Sequence, residues 1–284
     1  MRTTGSASAR EDAPILVLGG TGRTGRRVAD HLGRRGRRAR VASRSGPVRF
    51  DWDDPGTWGP ALAGVGGVYL MSAGAGEAVP AFLDVVRASG APRVVLLSAR
   101  AWERAGDGDL LAVERWVREH APGWTILRPT WFAQNFDEEP FLRDMVATGT
   151  VTLSAGNGLV PFVDVEDVAE VAAAVLTEPG HVGRVYELSG PRLLGFGDAV
   201  GELARARGRS VRYDPVSSRR CAARLREIGC SAEVAAFVDR MLGWVAAGAE
   251  AHLSDGVHQV LGRQPRDFGE YLRRGRCLPG GRTQ

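Results

Sequence analysis

Four glycines within ten residues mark the first stretch of the sequence that could do chemistry. The segment LGGTGRTGRR, residues 18–27, continues from the apolar run ILVL at 15–18. Its glycines fit two patterns, Gly20-x-Gly22-x-x-Gly25 and Gly19-x-x-Gly22-x-x-Gly25. Glycine permits a positive φ and a close approach of backbone to pyrophosphate, and the amides that begin a following helix attract an anion. The segment therefore predicts a loop that holds nucleotide phosphates, and a flexible turn is the alternative.

An arginine marks the end of the next predicted strand. Arg44 lies 19 residues after Gly25 and follows a strand predicted over 40–43. An acidic side chain at that end of a dinucleotide-binding fold binds the ribose 2′-hydroxyl, whereas an arginine can pair with a 2′-phosphate. Arg44, together with Arg23, therefore predicts NADPH as the cofactor rather than NADH. The alternative is a surface arginine in contact with water.

The segment FDWDDPGTW, residues 50–58, follows what should be the third strand. Asp51 could accept a hydrogen bond from the adenine amino group there. The ring of Trp52 could pack on the base. Core packing would explain Trp52 equally well, so both interpretations of this tryptophan stay open.

These residues need a framework in which strands and helices alternate. Apolar runs predict strands, and helical periodicity predicts helices between them. The predicted strands span 15–18, 40–43, 65–71, 94–97, 124–127 and 184–188, and the predicted helices span 28–36, 79–88, 111–120 and 164–176. Such βαβ units indicate an α/β fold with a doubly wound parallel sheet, the Rossmann type.

The pattern of predicted secondary structure changes after Pro191, where helices dominate. Helices are predicted over 197–206, 218–228 and 232–247, with a short strand at 211–213. We interpret this part as a smaller, mostly helical C-terminal substrate lobe. The predicted organisation is a flexible tail at 1–13, a dinucleotide-binding domain at 14–130 and 151–190, a substrate-binding lobe at 131–150 and 191–276, and a tail at 277–284.

Composition excludes several classes of protein. The 284 residues are 44% hydrophobic, and no stretch approaches the roughly 20 apolar residues that span a bilayer. The start, MRTTGSASAREDAP, lacks the apolar centre of a secretory signal, so a cytoplasmic protein without a membrane partner is expected. Three cysteines without CxxC spacing and five histidines without HxxxH spacing predict no metal site. A GxSxG nucleophile motif is also missing from the sequence.

The basic character of the chain invites a nucleic-acid interpretation. The pI is about 9.4, and five arginines cluster between residues 34 and 40. Aromatic residues do not alternate with them, as a base-stacking surface would require. These arginines also fit the carboxyl end of the first helix, where cations are favourable. We therefore expect no nucleic-acid partner.

Five segments carry a resemblance to a known family: GGTGRTG at 19–25, TILRPTWFAQNF at 125–136, PFVDVEDVAEVAAAVL at 161–176, ELSGP at 187–191 and LGRQPRDFGEYL at 261–272. Through them the chain resembles the NmrA-like branch of the atypical short-chain dehydrogenases/reductases over nearly its full length. The segment 125–136 is similar to that of the ergot-alkaloid-type reductases, which use NADPH to reduce an iminium. The resemblance implies a role in secondary metabolism.

The resemblance implies cofactor contacts at matched positions. Ser72 and Ala73 would border the cofactor after the fourth strand, and Ser98 would lie near the nicotinamide after the fifth. Pro129 would begin the wall of the nicotinamide site, which extends to Phe132. The pyrophosphate would be held by the loop residues Gly19, Gly20, Thr21, Gly22, Arg23, Thr24 and Gly25.

The same resemblance implies substrate contacts in the segment 131–136. Trp131 and Phe132 would help to position the substrate, and Asn135 and Phe136 would face it. The alternative is that Trp131, Phe132 and Phe136 are core residues. Further along, Asp164 and Asp167 are expected to cap and begin a helix rather than to do chemistry.

One departure from the family pattern limits the reaction. Typical short-chain dehydrogenases use a Tyr-x-x-x-Lys pair, but this chain contains no lysine and only four tyrosines, Tyr69, Tyr186, Tyr213 and Tyr271. Without an evident acid, reduction of a simple ketone to an alkoxide is disfavoured. An iminium becomes a neutral amine on accepting hydride, and a quinone becomes a stabilised phenolate. Neither acceptor needs a strong protein acid, and positioning can supply most of the rate.

Three functions follow as hypotheses. The first is an NADPH-dependent reductase of a small apolar or aromatic electrophile, such as an iminium, quinone or enone, bound between the two lobes. The second is a non-catalytic NADP(H) sensor that binds a partner protein. The third is an epimerase that keeps its cofactor and performs hidden redox. The catalytic residue, and the choice between monomer and homodimer, stay open.

Overall fold

The computed structural model describes residues 12–72, 76–105 and 108–275. Side chains are described for all of these residues except 104–105 and 108–110. The strands are β1 (Ile15–Leu18), β2 (Ala39–Ser43), β3 (Val48–Arg49), β4 (Gly67–Leu70), β5 (Val94–Leu97), β6 (Trp124–Pro129), β7 (Thr150–Leu153), β8 (Leu159–Val160), β9 (Arg184–Leu188), β10 (Leu194–Gly195) and β11 (Arg212–Pro215).

Helices occupy most of the intervening chain, and a 3-10 turn spans Pro55–Thr57. The helices are α1 (Arg23–Arg34), α2 (Trp58–Leu62), α3 (Ala78–Ser89), α4 (Ala101–Ala105), α5 (Gly108–His120), α6 (Asn135–Glu138), α7 (Pro140–Ala147), α8 (Val165–Thr177), α9 (Phe196–Arg207), α10 (Ser218–Glu227), α11 (Ala232–Ala246), α12 (Gly256–Leu261) and α13 (Phe268–Gly275).

The chain forms two compact units. The first contains residues 12–129, Val165–Leu188 and Gly256–Arg263. The second contains Thr130–Asp164, Ser189–Asp255 and residues 264–275.

The first unit is built on a seven-stranded sheet in the order β3-β2-β1-β4-β5-β6-β9, with every neighbouring pair parallel. Strands β1, β4 and most of β5 are buried because helices cover both faces, which explains their continuous apolar runs. The predicted α/β doubly wound fold is confirmed. Strand order reverses between β1 and β4, and in such sheets ligands bind at the carboxyl ends beside this switch point.

The second unit has its own small sheets and core. Strand β8 pairs antiparallel with β10, and β7 pairs parallel with β11. The rings of Phe136, Phe162, Phe196 and Phe268 pack against one another with centroid separations between 5.2 and 6.1 Å. Helices supply most of the remaining core of this unit.

Two segments lie in a different unit from the one that the sequence predicted. Residues 151–164 were expected in the dinucleotide-binding domain, but β7 pairs with β11, so this segment belongs to the second unit. Helix α12 was expected in the lobe and belongs to the first unit. A Cβ on Gly256 would lie 2.2 Å from the carbonyl oxygen of Glu187, which shows how closely α12 approaches β9.

Three predictions from the sequence concern the two tails, membrane-spanning segments and metal sites. Residues 1–11 and 277–284, most of the two predicted tails, lie outside the described residues. Within the described part, no helix combines the length and the apolar character that a membrane crossing requires. The described side chains also form no group of three or more His, Cys, Asp or Glu residues suited to a metal ion.

Candidate cofactor and substrate site

The glycine loop connects β1 to α1 at the switch point of the sheet. Gly19 has φ 61°, a conformation that L side chains rarely adopt. The amide of Gly22 donates to the Gly19 carbonyl at 2.8 Å, and the amide of Gly20 donates to Ala42 in β2 at 3.3 Å. A Cβ on Gly25 would lie 2.3 Å from the Gly19 oxygen. The loop thus requires glycine at 19 for its backbone and at 25 for its packing.

The beginning of α1 suits an anion. Gly22 precedes the helix, so no side chain caps its first amides. The first turn, residues 23–26, reads RTGR and contains no acidic side chain. Backbone amides at a helix amino end carry partial positive charge and bind phosphate. Thr24 is buried in this turn, whereas Thr21 is exposed in the loop before it.

Helix α1 is braced from α8 by a carboxylate. Glu166 accepts from Arg27 Nε at 2.8 Å and lies 3.0 Å from His31 Nε2. The hydrogen bond with His31, and after it the hydrogen bond and charge of Arg27, lower the pKa of Glu166 to about 2 against an opposing effect of burial. This ion-pair cluster fixes the helix that begins at the glycine loop.

The end of β2 presents Arg44, which was expected near the ribose, and Ser43, which was not. Arg44 is exposed directly after the strand. The hydroxyl of Ser43 is buried and is one of four such side-chain atoms that have no hydrogen-bond partner among the described residues. A buried donor without a partner is unfavourable, which makes this strand end suited to a polar ligand.

Asp51 and Trp52 have structural partners of their own. The Asp51 carboxylate accepts from the amide of Asp53, and its backbone carbonyl accepts from Trp58 Nε1 at 2.8 Å. The ring of Trp52 packs edge-on against Phe50 and Phe82 at 5.0 and 5.1 Å. Trp52 is only partly buried, so core packing accounts for part of its surface. Their roles toward an adenine stay predictions.

Three expected contacts lie at neighbouring strand ends. Ser72 and Ser98 are partly exposed, two residues after β4 and one residue after β5. Pro129 ends β6 and is buried, and its carbonyl accepts from the Arg100 amide at 3.1 Å. Ala73 lies outside the described residues.

Ser98 borders an ionic cluster, buried at Glu114 and Arg128, that the sequence did not predict. Its hydroxyl donates to Glu114 Oε1 at 2.6 Å. Arg128 donates to Glu114 from Nε at 2.9 Å and from Nη2 at 2.7 Å, and to Glu103 from Nη1 at 2.6 Å. Arg118 completes the cluster at 3.1 Å from Glu114. In the sequence Glu114 resembles an ordinary charged helix position, and its spacing of four from Arg118 is the one available signal.

The segment 131–136 divides into residues with different environments. Phe136 is fully buried in the core of the second unit, which supports the core interpretation and contradicts a substrate-facing position. Trp131 is partly exposed, packs edge-on against Phe196 at 5.4 Å, and has a buried indole N–H without a partner in the described structure. Phe132 and Asn135 are partly exposed.

Buried polar pairs hold this segment in place. Thr130 donates to Glu250 at 3.0 Å, and Gln134 donates to Asp164 at 2.7 Å. Asp164 also forms an ion pair with Arg274. These partners are far apart in sequence and were not predicted. In the first unit, Asp167 pairs with Arg263 at 2.8 Å.

Each of the four tyrosines is buried or lies within hydrogen-bond distance of another residue. Tyr69 lies buried in the central sheet, and burial raises its pKa. Tyr186 lies 2.9 Å from His181, and Tyr213 donates to the Gly156 carbonyl at 3.0 Å. Tyr271 donates to Asp137. Burial also raises the pKa of Tyr186 and raises that of Tyr213 to about 12, so Tyr69, Tyr186 and Tyr213 are poor acids near neutral pH.

Known proteins resemble the chain over most of its length, although no protein-family model matches it. An uncharacterized oxidoreductase of Bacillus subtilis (strain 168), YesF, is 32% identical over 269 residues, which cover 91% of this chain and 93% of YesF. Agroclavine dehydrogenase of Claviceps fusiformis is 32% identical over 276 residues, which cover 91% of this chain and 96% of that enzyme.

A solved structure extends the comparison. An NADPH-dependent quinone oxidoreductase of Escherichia coli, solved in complex with NADPH, superposes with a TM-score of 0.77 at 20% identity. The match covers 92% of this chain and 99% of that chain. At this identity the likeness establishes the fold alone.

Proposed function

The chain belongs to the NmrA-like branch of the atypical short-chain dehydrogenases/reductases, a family of NAD(P)H-dependent oxidoreductases, and from that membership we propose a specific reaction. The protein transfers hydride from NADPH to an electrophilic small molecule, such as an iminium, a quinone or an enone. The observation that carries this proposal is the missing acid: the chain has no lysine, and its four tyrosines are buried or hydrogen-bonded to structural partners.

The glycine loop fits a dinucleotide. Residues 19–25 would hold the pyrophosphate through backbone amides, since Gly22 leaves the first turn of α1 without a side-chain cap. Arg44 would pair with the 2′-phosphate, and the neighbouring Ser43 hydroxyl would find a partner there. When bound, NADPH supplies hydride from C4 of its nicotinamide. The complex of the Escherichia coli enzyme with NADPH supports this choice of cofactor.

The class of acceptor follows from the charge that the acceptor carries after it has received hydride. A ketone that accepts hydride becomes an alkoxide, whose protonation by a positioned acid is worth roughly 10² to 10⁴ in rate. An iminium or a quinone avoids that demand, so orientation of the acceptor carries most of the catalysis. The names of agroclavine dehydrogenase and of the quinone oxidoreductase agree with acceptors of this kind. The partly exposed rings of Trp131 and Phe132 would orient an apolar or aromatic acceptor.

The experiment is NADPH oxidation with a panel of cyclic iminium ions, quinones and enones. We expect turnover of at least one class, and kcat changes of less than about threefold for Tyr69→Phe, Tyr186→Phe, Tyr213→Phe and Tyr271→Phe. Trp131→Ala should lower kcat by about tenfold or more, because the acceptor loses its near-attack geometry. A tyrosine variant that loses about 10³ in kcat with unchanged NADPH affinity would reveal a general acid. Tight NADPH binding without turnover of any acceptor would favour the sensor hypothesis.

A further inference from the structure

Ser98 lies at the boundary between the surface and the buried part of the ionic cluster, Glu114 and Arg128. Its side chain is partly exposed, whereas Glu114 is fully buried. The single proton of the Ser98 hydroxyl is directed to Glu114 Oε1 at 2.6 Å. A hydroxyl that donates in one direction keeps its lone pairs as acceptors for another partner. The exposed side of Ser98 can therefore only accept.

Glu114 has no proton to pass to Ser98. Burial alone would raise the pKa of Glu114, but hydrogen bonds from Arg128 and Ser98 and the charges of Arg128 and Arg118 outweigh burial and lower it. Arg128 contacts both carboxylate oxygens, a bidentate arrangement that fixes the orientation of the carboxylate. A proton relay from Glu114 through Ser98 is thereby excluded near neutral pH.

The strand order indicates which ligand group Ser98 would meet. Strand β5 is two strands from β1, a distance of roughly 10 Å, on the side away from β2. In this topology the pyrophosphate lies at the end of β1, the adenosine half lies toward β2, and the nicotinamide half lies toward β4 and β5. The nicotinamide half carries a carboxamide, whose NH₂ group is a hydrogen-bond donor.

We propose that Ser98 accepts a hydrogen bond from the carboxamide NH₂ of the cofactor, and that Glu114, held by Arg128, is the positioning residue that fixes Ser98 as an acceptor. The inference rests on the proposed function, since it requires a nicotinamide cofactor. Its consequence is a preference for cofactors that carry the NH₂ group. The nicotinamide ring is then held in one of its two orientations.

The test is equilibrium binding, which needs no turnover. NADP⁺ is compared with its 3-acetylpyridine analogue, in which a methyl group replaces the NH₂. We expect Ser98→Ala to weaken NADP⁺ binding by about tenfold and to leave the affinity for the analogue nearly unchanged, as the loss of one hydrogen bond predicts. Ser72→Ala is the matched control: it removes a partly exposed hydroxyl near the neighbouring strand end and should change both affinities by the same factor.

A second variant tests the positioning role. In Glu114→Gln the side chain can donate to Ser98 as well as accept, so the preference for NADP⁺ over the analogue should shrink. If that variant does not fold, as circular dichroism would show, Ser98→Ala decides alone. Equal weakening of both ligands by Ser98→Ala, or of neither, overturns the proposal. If the parent protein binds neither ligand, the proposed function itself has failed.

Discussion

The glycine loop of the first unit and the segment 130–136 of the second unit differ in what constrains their residues. In the loop the backbone makes the demand: φ is 61° at Gly19, and a Cβ on Gly25 would meet backbone at 2.3 Å. In the segment 130–136 the constraint comes from side-chain packing, and an aromatic ring can pack in a core as well as against a ligand. Phe136 lies in the core, whereas Trp131 is partly exposed. A backbone requirement leaves one residue type, so it can be predicted from sequence with more certainty.

The loop side of this comparison has the largest expected effect. Gly22→Val should abolish cofactor-induced thermal stabilisation, a loss of more than about 100-fold in affinity, because the side chain fills space over the loop. Much of the fold should persist, since a Cβ there would crowd only the Gly19 oxygen, at 3.1 Å, and circular dichroism checks this. Gly33→Val is the matched control, because a Cβ there meets nothing within 4 Å. Retained stabilisation in Gly22→Val would show that the loop is only a turn.

The segment 130–136 is tested by measuring the free energy of unfolding of its variants. Phe136→Ala should lower the free energy of unfolding by about 3 to 5 kcal/mol, the usual cost of a cavity left by a buried ring. Trp131→Ala should cost clearly less, since its ring is partly exposed. Urea denaturation measures both. Equal losses would place the two rings in one core and remove the distinction between them.

Arg44 extends the comparison to a side chain of the first unit. Its role toward the 2′-phosphate was predicted only from its position at the end of β2. Arg44→Asp should weaken NADPH binding by about 100-fold and NADH binding much less, since it places a like charge beside the 2′-phosphate. Arg219→Asp on α10 gives the same change in net charge at an exposed site. Direct titration of both cofactors decides, and equal losses in Arg44→Asp would refute the assignment.

The brace of α1 gives the smallest effect and depends on pH. Because the pKa of Glu166 is lowered to about 2, its stabilisation is present above its ordinary pKa of 4.5 and is lost as the pH falls toward 2. Glu166→Gln should therefore cost about 2 kcal/mol near pH 7, allowing for partial solvent screening, and almost nothing near pH 2. Glu119→Gln, at an exposed carboxylate, is the control for the loss of a surface carboxylate. Denaturation at several pH values measures the difference.

Continuous apolar runs made much of the first unit predictable. The predicted bounds of β1, β5 and β9 match the structure. Strands β1 and β5 could be predicted because buried parallel strands contain few polar residues, whereas β9 is an edge strand that is partly exposed. Strands β7, β8 and β10 were not predicted as strands, since β8 and β10 have two residues each and β7 alternates threonine with apolar residues instead of forming a continuous apolar run. Glu114 was missed for a different reason: the burial of a charge depends on Arg128, which the helix pattern does not reveal.

The division of the chain between the two units affects how the protein is made. The chain passes from one unit to the other after Pro129, Asp164, Leu188, Asp255 and Arg263. Helix α12 of the first unit, at Gly256–Leu261, is therefore synthesised after most of the second unit. Bacterial and eukaryotic ribosomes add about 5 to 20 residues per second, so the first unit waits many seconds for its last helix. During that time β9 and α8 lack the contacts that α12 makes with them, so the packing of the first unit is completed only after most of the second unit has been made.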